Sequence, residues 1–430
     1  MISINKKLKS LEEENKQIKV GVVGAGLMGT GLITQIALMK GMIPSILVDR
    51  TEEKAIKAYL SAGISRDQIL IAKSLDEVNV GMERGKYIVS SNVEYVSQAN
   101  LVDVVVDATG RPDAGAKIAM NSIKNKKDIV MLNIEADATI GHVLNKYALE
   151  AGVVYTGSAG DEPGAVKELY DFAEVLGFNI LALCKGKNNP LDFTVTPDKL
   201  IERAGKDNLN PRMLTSFIDG TNTMIEMSVV ANATGFIPDI RGCHGPDAEL
   251  KTLAQLFSLK EQGGILNQYG IVDFVKGVAP GVFAVISSDK PIVNEQMRFL
   301  KMGDGPNYIL YRPYHLTSLE TPISIARAFL DKIPTIAPLN QKPSAEVITI
   351  AKRDLKAGER LDSIGGYTVY GSLETFEKAK EENLVPVGLI NENTIVIKDI
   401  KMGETISYDD ITLDNSYISK LRREQDGLFG

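Results

Sequence analysis

Gly24-Ala25-Gly26-Leu27-Met28-Gly29 decides how this chain folds. Lys19-Val20-Gly21-Val22-Val23 before it reads as a short buried strand, and residues 31–39 after it as a helix. A second apolar run, Ile46-Leu47-Val48, closes on Asp49, about 20 residues past the last glycine, where a dinucleotide fingerprint carries its acid. A G-x-G-x-x-G pattern alone is weak, because glycines turn chains everywhere. With strand, helix and acid around it, the pattern specifies a Rossmann site for a nicotinamide or flavin dinucleotide. Gly24 permits the tight turn, Gly26 lets the backbone approach a pyrophosphate, and Gly29 lets helix and strand pack closely. Ala25, Leu27 and Met28 complete the loop, and the amides at the helix start meet the phosphate charge. Asp49 is the acceptor for the adenosine ribose. Arg50 beside it is a partner for a 2′-phosphate, so NADH and NADPH both stay open.

The chain has 430 residues, enough for two or three domains with an ample core. Lys and Arg total 48 against 55 Asp and Glu, a formal charge of −7. With no Lys/Arg-rich run to track phosphates, nucleic acid is not an expected partner. No apolar stretch reaches bilayer-spanning length, and residues 1–17 are polar and charged, so neither a membrane span nor an export signal is expected. Two cysteines, Cys184 and Cys243, cannot form a disulfide framework, which points to the reducing cytoplasm. His142, His244 and His315 are spaced too widely for a local zinc motif.

Residues 1–17 read as one amphipathic helix, with Leu8 and Leu11 on one side; it covers the nucleotide domain, joins a dimer or stands as a solvated leader. From 18 to 158 strands and helices alternate, the mark of a doubly wound parallel sheet in an α/β fold. Residues 101–106 are nearly all apolar, as a strand buried on both faces should be, and end in Asp107-Ala108-Thr109-Gly110. Ligands collect beyond the carboxyl ends of such strands, which places Thr109 and Gly110 near the cofactor. The next strand, 129–132, ends at Asn133-Ile134-Glu135-Ala136-Asp137. Residues 139–151 read as a helix with Asp137 as its cap, and Glu135 is a candidate to face the nicotinamide pocket.

Residues 159–332 form the expected substrate domain, mixed α+β in character. Asp161-Glu162-Pro163 opens a helix, its acids read first as caps. The strand 180–184 ends in Lys185-Gly186-Lys187-Asn188-Asn189-Pro190, where two lysines two residues apart share one face. They form either a solvated pair or one wall of a polar pocket. Asp219-Gly220-Thr221-Asn222 leads into a helix carrying Met224, Met227 and Val230. Arg241-Gly242-Cys243-His244-Gly245-Pro246 leads into another, with Pro246 near its first turn. Strands are expected at 271–275, 281–286, 297–301 and 308–311, the last two as a hairpin turning at Gly303-Asp304-Gly305-Pro306.

The proline-dotted stretch 333–343 reads as a linker, and 344–430 as a β-rich module with its tail. The module holds an internal repeat: Asp354-Leu355-Lys356-Ala357-Gly358-Glu359-Arg360-Leu361 returns as Asp399-Ile400-Lys401-Met402-Gly403-Glu404-Thr405-Ile406. Each copy follows an apolar run, 347–350 or 394–397, and turns at Lys-x-Gly. Two units with approximate twofold symmetry are expected, in a structural or oligomer-forming role.

Through Asp107-Ala108-Thr109-Gly110 and Asn133 the nucleotide half resembles homoserine dehydrogenases, and the C-terminal repeat resembles the SAF (β-clip) domain. The whole chain thus resembles the homoserine-dehydrogenase-like oxidoreductases with a C-terminal SAF domain. In the segments Asn133-Ile134-Glu135-Ala136-Asp137, Gly160-Asp161-Glu162-Pro163-Gly164, Lys185 to Pro190 and Arg241 to Pro246 it is similar to the 1-deoxy-D-xylulose 5-phosphate reductoisomerase-like enzymes. That resemblance implies NADPH-dependent conversion of this sugar phosphate to 2-C-methyl-D-erythritol 4-phosphate, an isoprenoid precursor. Sugar-acid dehydrogenases and oxidoisomerases belong to similar groups. Ile134 stands where homoserine dehydrogenases carry a lysine, which speaks against plain homoserine oxidation.

A rearranging ketose needs a hydroxyl deprotonated and a carbonyl polarised before hydride arrives. Lys185 and Lys187 are the candidates to polarise the carbonyl, and Asp219 and His244 the further catalytic candidates, His244 by exchanging a proton near neutral pH. Arg241 is a candidate fork for a phosphate or carboxylate, beside Asn188, Asn189 and Asn222 as substrate contacts. Asn133 and Glu135 join the glycine loop, Asp49, Arg50, Thr109 and Gly110 as cofactor contacts. Glu135 with Asp161 could hold a divalent cation through oxygen ligands, although caps and solvated carboxylates explain both acids as well. The alternatives are an NAD(P)-dependent dehydrogenase of a sugar acid or hydroxy acid, and a dinucleotide sensor that uses its last module as an interaction surface. A small-molecule substrate and a homo-oligomer are expected.

Overall fold

The computed structural model describes residues 2–206 and 209–429. The first sheet has seven parallel strands: β1 (Ile18–Val23), β2 (Met42–Val48), β3 (Ile69–Ile71), β4 (Tyr87–Ser90), β5 (Val104–Asp107), β6 (Asp128–Met131) and β7 (Tyr155–Gly157). Their order is β3-β4-β2-β1-β5-β6-β7. Successive residues feed opposite cores, as the strand period of two requires. Val22, Leu47 and Val106 pack on one face, and Val23, Ile46 and Val105 on the other. The chain winds outward from β1 to β3 and returns to β5 beside β1, so the strand order reverses between β1 and β5. Doubly wound sheets take their ligands at such a reversal, beyond the carboxyl ends of the strands. The N-terminal helix Ile2–Glu13 covers this domain, with Leu8 buried among Ile33, Ile36 and Met42.

The second sheet contains β8 (Asn179–Lys187), β9 (Ile237–Pro238), β10 (Ile271–Lys276), β11 (Val282–Ser287) and β12 (Asn307–Arg312), in the order β12-β11-β8-β10-β9. β8 runs parallel to β10 and antiparallel to β11. The helices Glu162–Val175 and Thr221–Thr234 cover one face. Residues 248–269 cover the other through Leu253, Phe257 and Leu266. Two sequence expectations fail here. Residues 297–301 are no strand: Pro291 opens a helix, Pro291–Phe299, in which Val293 and Met297 stand one turn apart on the core side, so no hairpin joins them to β12. Nor does Pro246 start a helix. Its segment runs as an edge beside β10, where Lys276 N donates to Pro246 O and Ala248 N to Lys276 O, each at 2.9 Å.

The third module pairs β13 (Ala345–Ala351) with β14 (Val369–Thr375), and β15 (Ile395–Val396) with β16 (Ile411–Thr412). Its repeat closes on itself. Lys356 Nζ meets Asp399 Oδ2 at 2.6 Å and Lys401 Nζ meets Asp354 Oδ2 at 2.9 Å. Ala357 N donates to Asp399 Oδ1 and Met402 N to Asp354 Oδ1, so the aspartate of each copy closes the turn of the other. Exposed pairs of this kind contribute little energy; the buried Leu355 and Ile400, which exchange backbone hydrogen bonds between them, supply the core. Residues 333–343 do not hang free: Gly157 N donates to Ile336 O at 2.8 Å and Thr335 N to Thr156 Oγ1 at 2.8 Å, beside β7. The last helix, Tyr417–Phe429, returns to the nucleotide half, with buried Arg422 paired to Glu346 and Gln425 Nε2 donating to Thr139 O. Among the described residues no helix is long and apolar enough to cross a membrane.

Candidate active site

The glycine loop follows β1 and has the shape its residues require. A side chain at Gly24, where φ is 104°, would bring its Cβ within 2.7 Å of Ala108 O, and one at Gly29 within 1.9 Å of Gly24 O. A Cβ at Gly26 would meet nothing within 4 Å. That open space lies at the start of the helix Leu27–Ala37, whose N-cap is Gly26 and whose first amides have no side-chain cap. A dinucleotide pyrophosphate fits this cradle of free amides at the positive end of a helix. Asp49 accepts from Ala25 N at 2.8 Å and Thr51 N at 2.9 Å, so it shapes the loop. A carboxylate has about four acceptor sites, which leaves room for a ribose. Arg50 is exposed.

Ala108 and Thr109, directly after β5, lie beside Gly24, and Gly110 follows them. Behind them Asn133 is fully buried and fully used. Its Nδ2 donates to Asp107 Oδ2 at 2.9 Å, Thr109 Oγ1 at 3.2 Å and Arg111 O at 3.0 Å. Its Oδ1 caps the helix Ile134–Ala151 through Ala136 N. Asn133 thus braces the loops after β5 and β6. It also displaces Asp137 as the cap, because its amide oxygen reaches the free N–H groups of the first turn. Asp137 lies one turn inside, buried, and accepts from Tyr155 Oη at 2.6 Å. Burial raises the Glu135 carboxyl to about 7, with Asp107 adding to the shift.

The second group assembles on β8, which runs through both lysines rather than ending before them. Lys185 and Lys187 project to the face beneath the helices Glu162–Val175 and Thr221–Thr234. Lys185 Nζ donates to Glu162 Oε1 at 2.6 Å and also to Glu226 Oε2. Asn222, one turn before Glu226, donates to Glu226 Oε1 at 2.6 Å. Asp161 occupies the N-cap position but makes no side-chain cap; its carboxyl adjoins Glu162 instead. His315 Nε2 stands 3.4 Å from Glu162 Oε1.

Protonation divides these groups. Burial pushes the Glu162 carboxyl up, but the Lys185 ammonium, helped by His315, outweighs burial and holds it well below the usual range. Burial, reinforced by the Glu162 charge, raises Glu226 to about 8. The same two causes raise Asp161 strongly. Burial opposes the Lys185 charge, yet Glu162 and Glu226 hold its pKa above the ordinary value. Lys187 goes the other way, lowered to about 8 by burial and by Lys185, and its Nζ donates to Phe217 O. The centre therefore favours the charged form of Glu162 and Lys185 and the neutral form of Asp161 and Glu226, beside a lysine lowered to about 8. Asp161, Glu162 and Glu226 bring oxygens within 4.8 Å of one another. The cationic place between Glu162 and Glu226 belongs to Lys185, and Glu135 is not in this group, contrary to its expected pairing with Asp161.

The other sequence candidates scatter. Asp219 Oδ2 meets Lys352 Nζ at 2.7 Å, with the two side chains 0% and 1% exposed. Asp219 Oδ1 accepts from Thr221 N, at the start of the helix that carries Asn222 and Glu226. Arg241 is taken up by Glu374 at 2.6 Å and Glu382 at 2.7 Å, both in the third module. His244 Nε2 meets Asp239 Oδ2 at 2.8 Å, an oxygen that also takes Asn267 N from the segment on the opposite face of the sheet from Lys185. Asn189 accepts from Arg203, and Asn188 is exposed. Sequence reading missed Glu226, His315 and Lys352, and took Glu162 for a cap. Glu226 carried a signal, as a lone charge in an otherwise uncharged helix four residues after Asn222. Lys352, directly after the apolar run of β13, carried a fainter one. His315 had none.

The two groups adjoin. The chain leaves β7 and enters the Asp161-Glu162 corner directly, where Gly160 O accepts from Thr317 N at 2.7 Å. Ser318 and Leu319 then lie against Gly31 of the glycine-loop helix. The Asp161-Glu162 corner follows the carboxyl end of β7, and residues 317–319 join it to the helix that the glycine loop opens.

Residues 160–321 match a family model described as "Oxidoreductase DRL, catalytic domain". That span contains Asp161, Glu162, Lys185, Lys187, Glu226 and His315. Among solved structures, the chain is similar to a "probable dehydrogenase" from Thermotoga maritima, at 12% identity over 74% of this chain and 90% of that one, with a TM-score of 0.42. It is similar also to scyllo-inositol dehydrogenase from Lactobacillus casei with NAD(H) and scyllo-inositol bound, at 14% identity over 69% and 76%, with a TM-score of 0.38. Likeness this distant carries no argument about chemistry. No curated protein matches the chain. The family match makes the chain an oxidoreductase enzyme, with the lysine–carboxyl centre inside its catalytic span.

Proposed function

We propose that the protein is an NAD(P)H-dependent oxidoreductase of a small polyhydroxylated carbonyl compound, and specifically a reductoisomerase that converts 1-deoxy-D-xylulose 5-phosphate to 2-C-methyl-D-erythritol 4-phosphate. The observation that carries this reading is the Glu162–Lys185–Glu226 arrangement, with acids held on opposite sides of neutrality, joined through residues 317–319 to the helix that the glycine loop opens. Titratable groups whose surroundings push their pKa values apart identify acid and base. A nicotinamide dinucleotide bound at Gly24–Gly29 would supply the hydride. Glu162, ionised, takes the hydroxyl proton that must leave before the carbon skeleton shifts. Lys187, with one backbone acceptor and donors to spare, polarises the carbonyl. Glu226, protonated, gives its proton to the original carbonyl oxygen as the skeleton shifts, and Lys185 fixes both acids in place.

The test is product analysis after incubation with 1-deoxy-D-xylulose 5-phosphate and either NADPH or NADH. A branched methylerythritol phosphate formed one for one with oxidised cofactor supports the reading. A reduced but unrearranged polyol would show a simple dehydrogenase instead. Cofactor consumption with none of a broad set of ketoses and sugar acids would refute both.

A further inference from the structure

His315 was no candidate from sequence, and three observations converge on it. Its Nε2 faces Glu162 Oε1 at 3.4 Å, the same oxygen that receives Lys185 at 2.6 Å. Its Nδ1 is buried and has no hydrogen-bond partner among the described residues. More than nine in ten buried polar groups are paired, so an orphan beside an ion-pair centre points to a partner the protein does not itself supply. The two other orphans have other surroundings: His142 sits against Phe429, and Asp239 already engages His244 through its second oxygen.

The third observation is backbone strain. Thr317, two residues on, has φ 46°, a left-handed conformation that a β-branched residue rarely adopts. The surroundings hold it there. Thr317 N donates to Gly160 O at 2.7 Å, Leu316 N donates to Glu320 Oε1 at 2.9 Å, and a Cβ at Gly160 would lie 2.2 Å from Thr317 O. Strain of this kind persists only where neighbours over-determine it, and it concentrates at functional sites. Here it clamps residues 315–319 between the Glu162 corner and the glycine-loop helix.

We infer that His315 is a catalytic residue, whose Nδ1 exchanges the proton of the substrate oxygen that changes oxidation state while Glu162 orients the ring through Nε2. The inference rests on the proposed reading of the site as a hydride-transfer centre. In the oxidative direction the substrate's O–H proton passes to Nδ1, its C–H leaves as hydride to the oxidised nicotinamide, and a C=O bond forms. In the reductive direction Nδ1 returns the proton to the oxygen as hydride reaches the carbonyl carbon. A His–carboxylate pair of this type fixes both tautomer and ring orientation.

The test compares His315→Gln and His315→Ala with the native enzyme, using NADPH and 1-deoxy-D-xylulose 5-phosphate or whichever carbonyl substrate the native enzyme turns over. Loss of a positioned proton donor should lower kcat by about 100- to 10,000-fold. NADPH affinity by calorimetry should stay within about twofold, and added imidazole should restore part of the His315→Ala rate. If His315→Ala does not fold, His315→Gln, of similar bulk, carries the comparison. Native-like kcat in His315→Gln would overturn this inference alone, as would a loss in His315→Ala that imidazole does not relieve. Failure of the native protein to bind NADPH or NADH would overturn the proposed function and this inference with it.

Discussion

The glycine loop and the lysine–carboxyl centre are joined through residues 317–319, yet they are built in opposite ways. The loop is six contiguous residues, and its function resides in backbone: two glycines that no side chain could replace and one that leaves space. The centre draws Glu162 from one helix, Glu226 and Asn222 from another, Lys185 and Lys187 from a strand and His315 from a loop. A backbone site fails by filling. A side-chain site fails by losing a counter-charge. The two therefore predict different kinds of damage.

The largest effect is expected at the centre. Lys185→Met keeps the length of the side chain but leaves the ionised Glu162 buried without its ammonium. Breaking such a pair costs about 3–5 kcal/mol of stability, and turnover should fall by about 1,000-fold. Denaturant unfolding and steady-state rates check both. A variant that loses stability but keeps its rate would make Lys185 a structural residue only. Gly26→Asp should behave in the reverse manner. Its Cβ enters open space, so the melting temperature should hold, while the added bulk and negative charge should weaken NAD(P)H binding by about 100-fold, roughly 2.7 kcal/mol. Unchanged affinity in calorimetry would remove the dinucleotide from this loop.

Much of the first region was legible in the sequence because it is local. Strand, glycines, helix and acid follow one another within one βαβ unit, and hydrophobic periodicity locates each. The second region was legible only in part. The spacing of Lys185 and Lys187 put both on one face of a strand, but nothing in the sequence says which helices cover that face. Glu162 looked like a cap because acid and proline often open helices, whereas its carboxylate turns to a lysine 23 positions on. Residues 297–301 looked like a strand because a short apolar run does not distinguish strand from helix; Pro291 and the one-turn spacing of Val293 and Met297 decided it. The repeat announced two related turns, but not that each aspartate would close the other copy's turn.

Smaller effects sharpen the boundary of the centre. Lys352 reaches from the third module to Asp219, and that pair holds the start of the helix bearing Asn222 and Glu226. Lys352→Met should cost about 3 kcal/mol and lower kcat by about tenfold, with dinucleotide affinity unchanged. Lys352→Arg should recover part of the rate. Equal loss of dinucleotide affinity would show that the third module supports the first sheet rather than the catalytic helix. The most gradual effect is a pH dependence. Lys187 is lowered to about 8, so it is a cationic donor below that value and loses its charge as pH rises through it. Glu226, raised to about 8, loses its transferable proton over the same range. Turnover should be level toward pH 7 and fall above 8, about tenfold per unit for each of the two groups and so approaching about 100-fold per unit. A rate that rises through pH 9 would contradict these roles.

Deuteride transfer tests the central claim most directly, that the dinucleotide cradle and the lysine–carboxyl centre form one hydride-transfer site. With NADPH deuterated at the transferring position of the nicotinamide C4 and 1-deoxy-D-xylulose 5-phosphate, the product should carry one carbon-bound deuterium by mass spectrometry. Lys187→Ala should abolish that transfer while binding NADPH with native affinity. Product without deuterium, or full transfer in Lys187→Ala, would contradict the account.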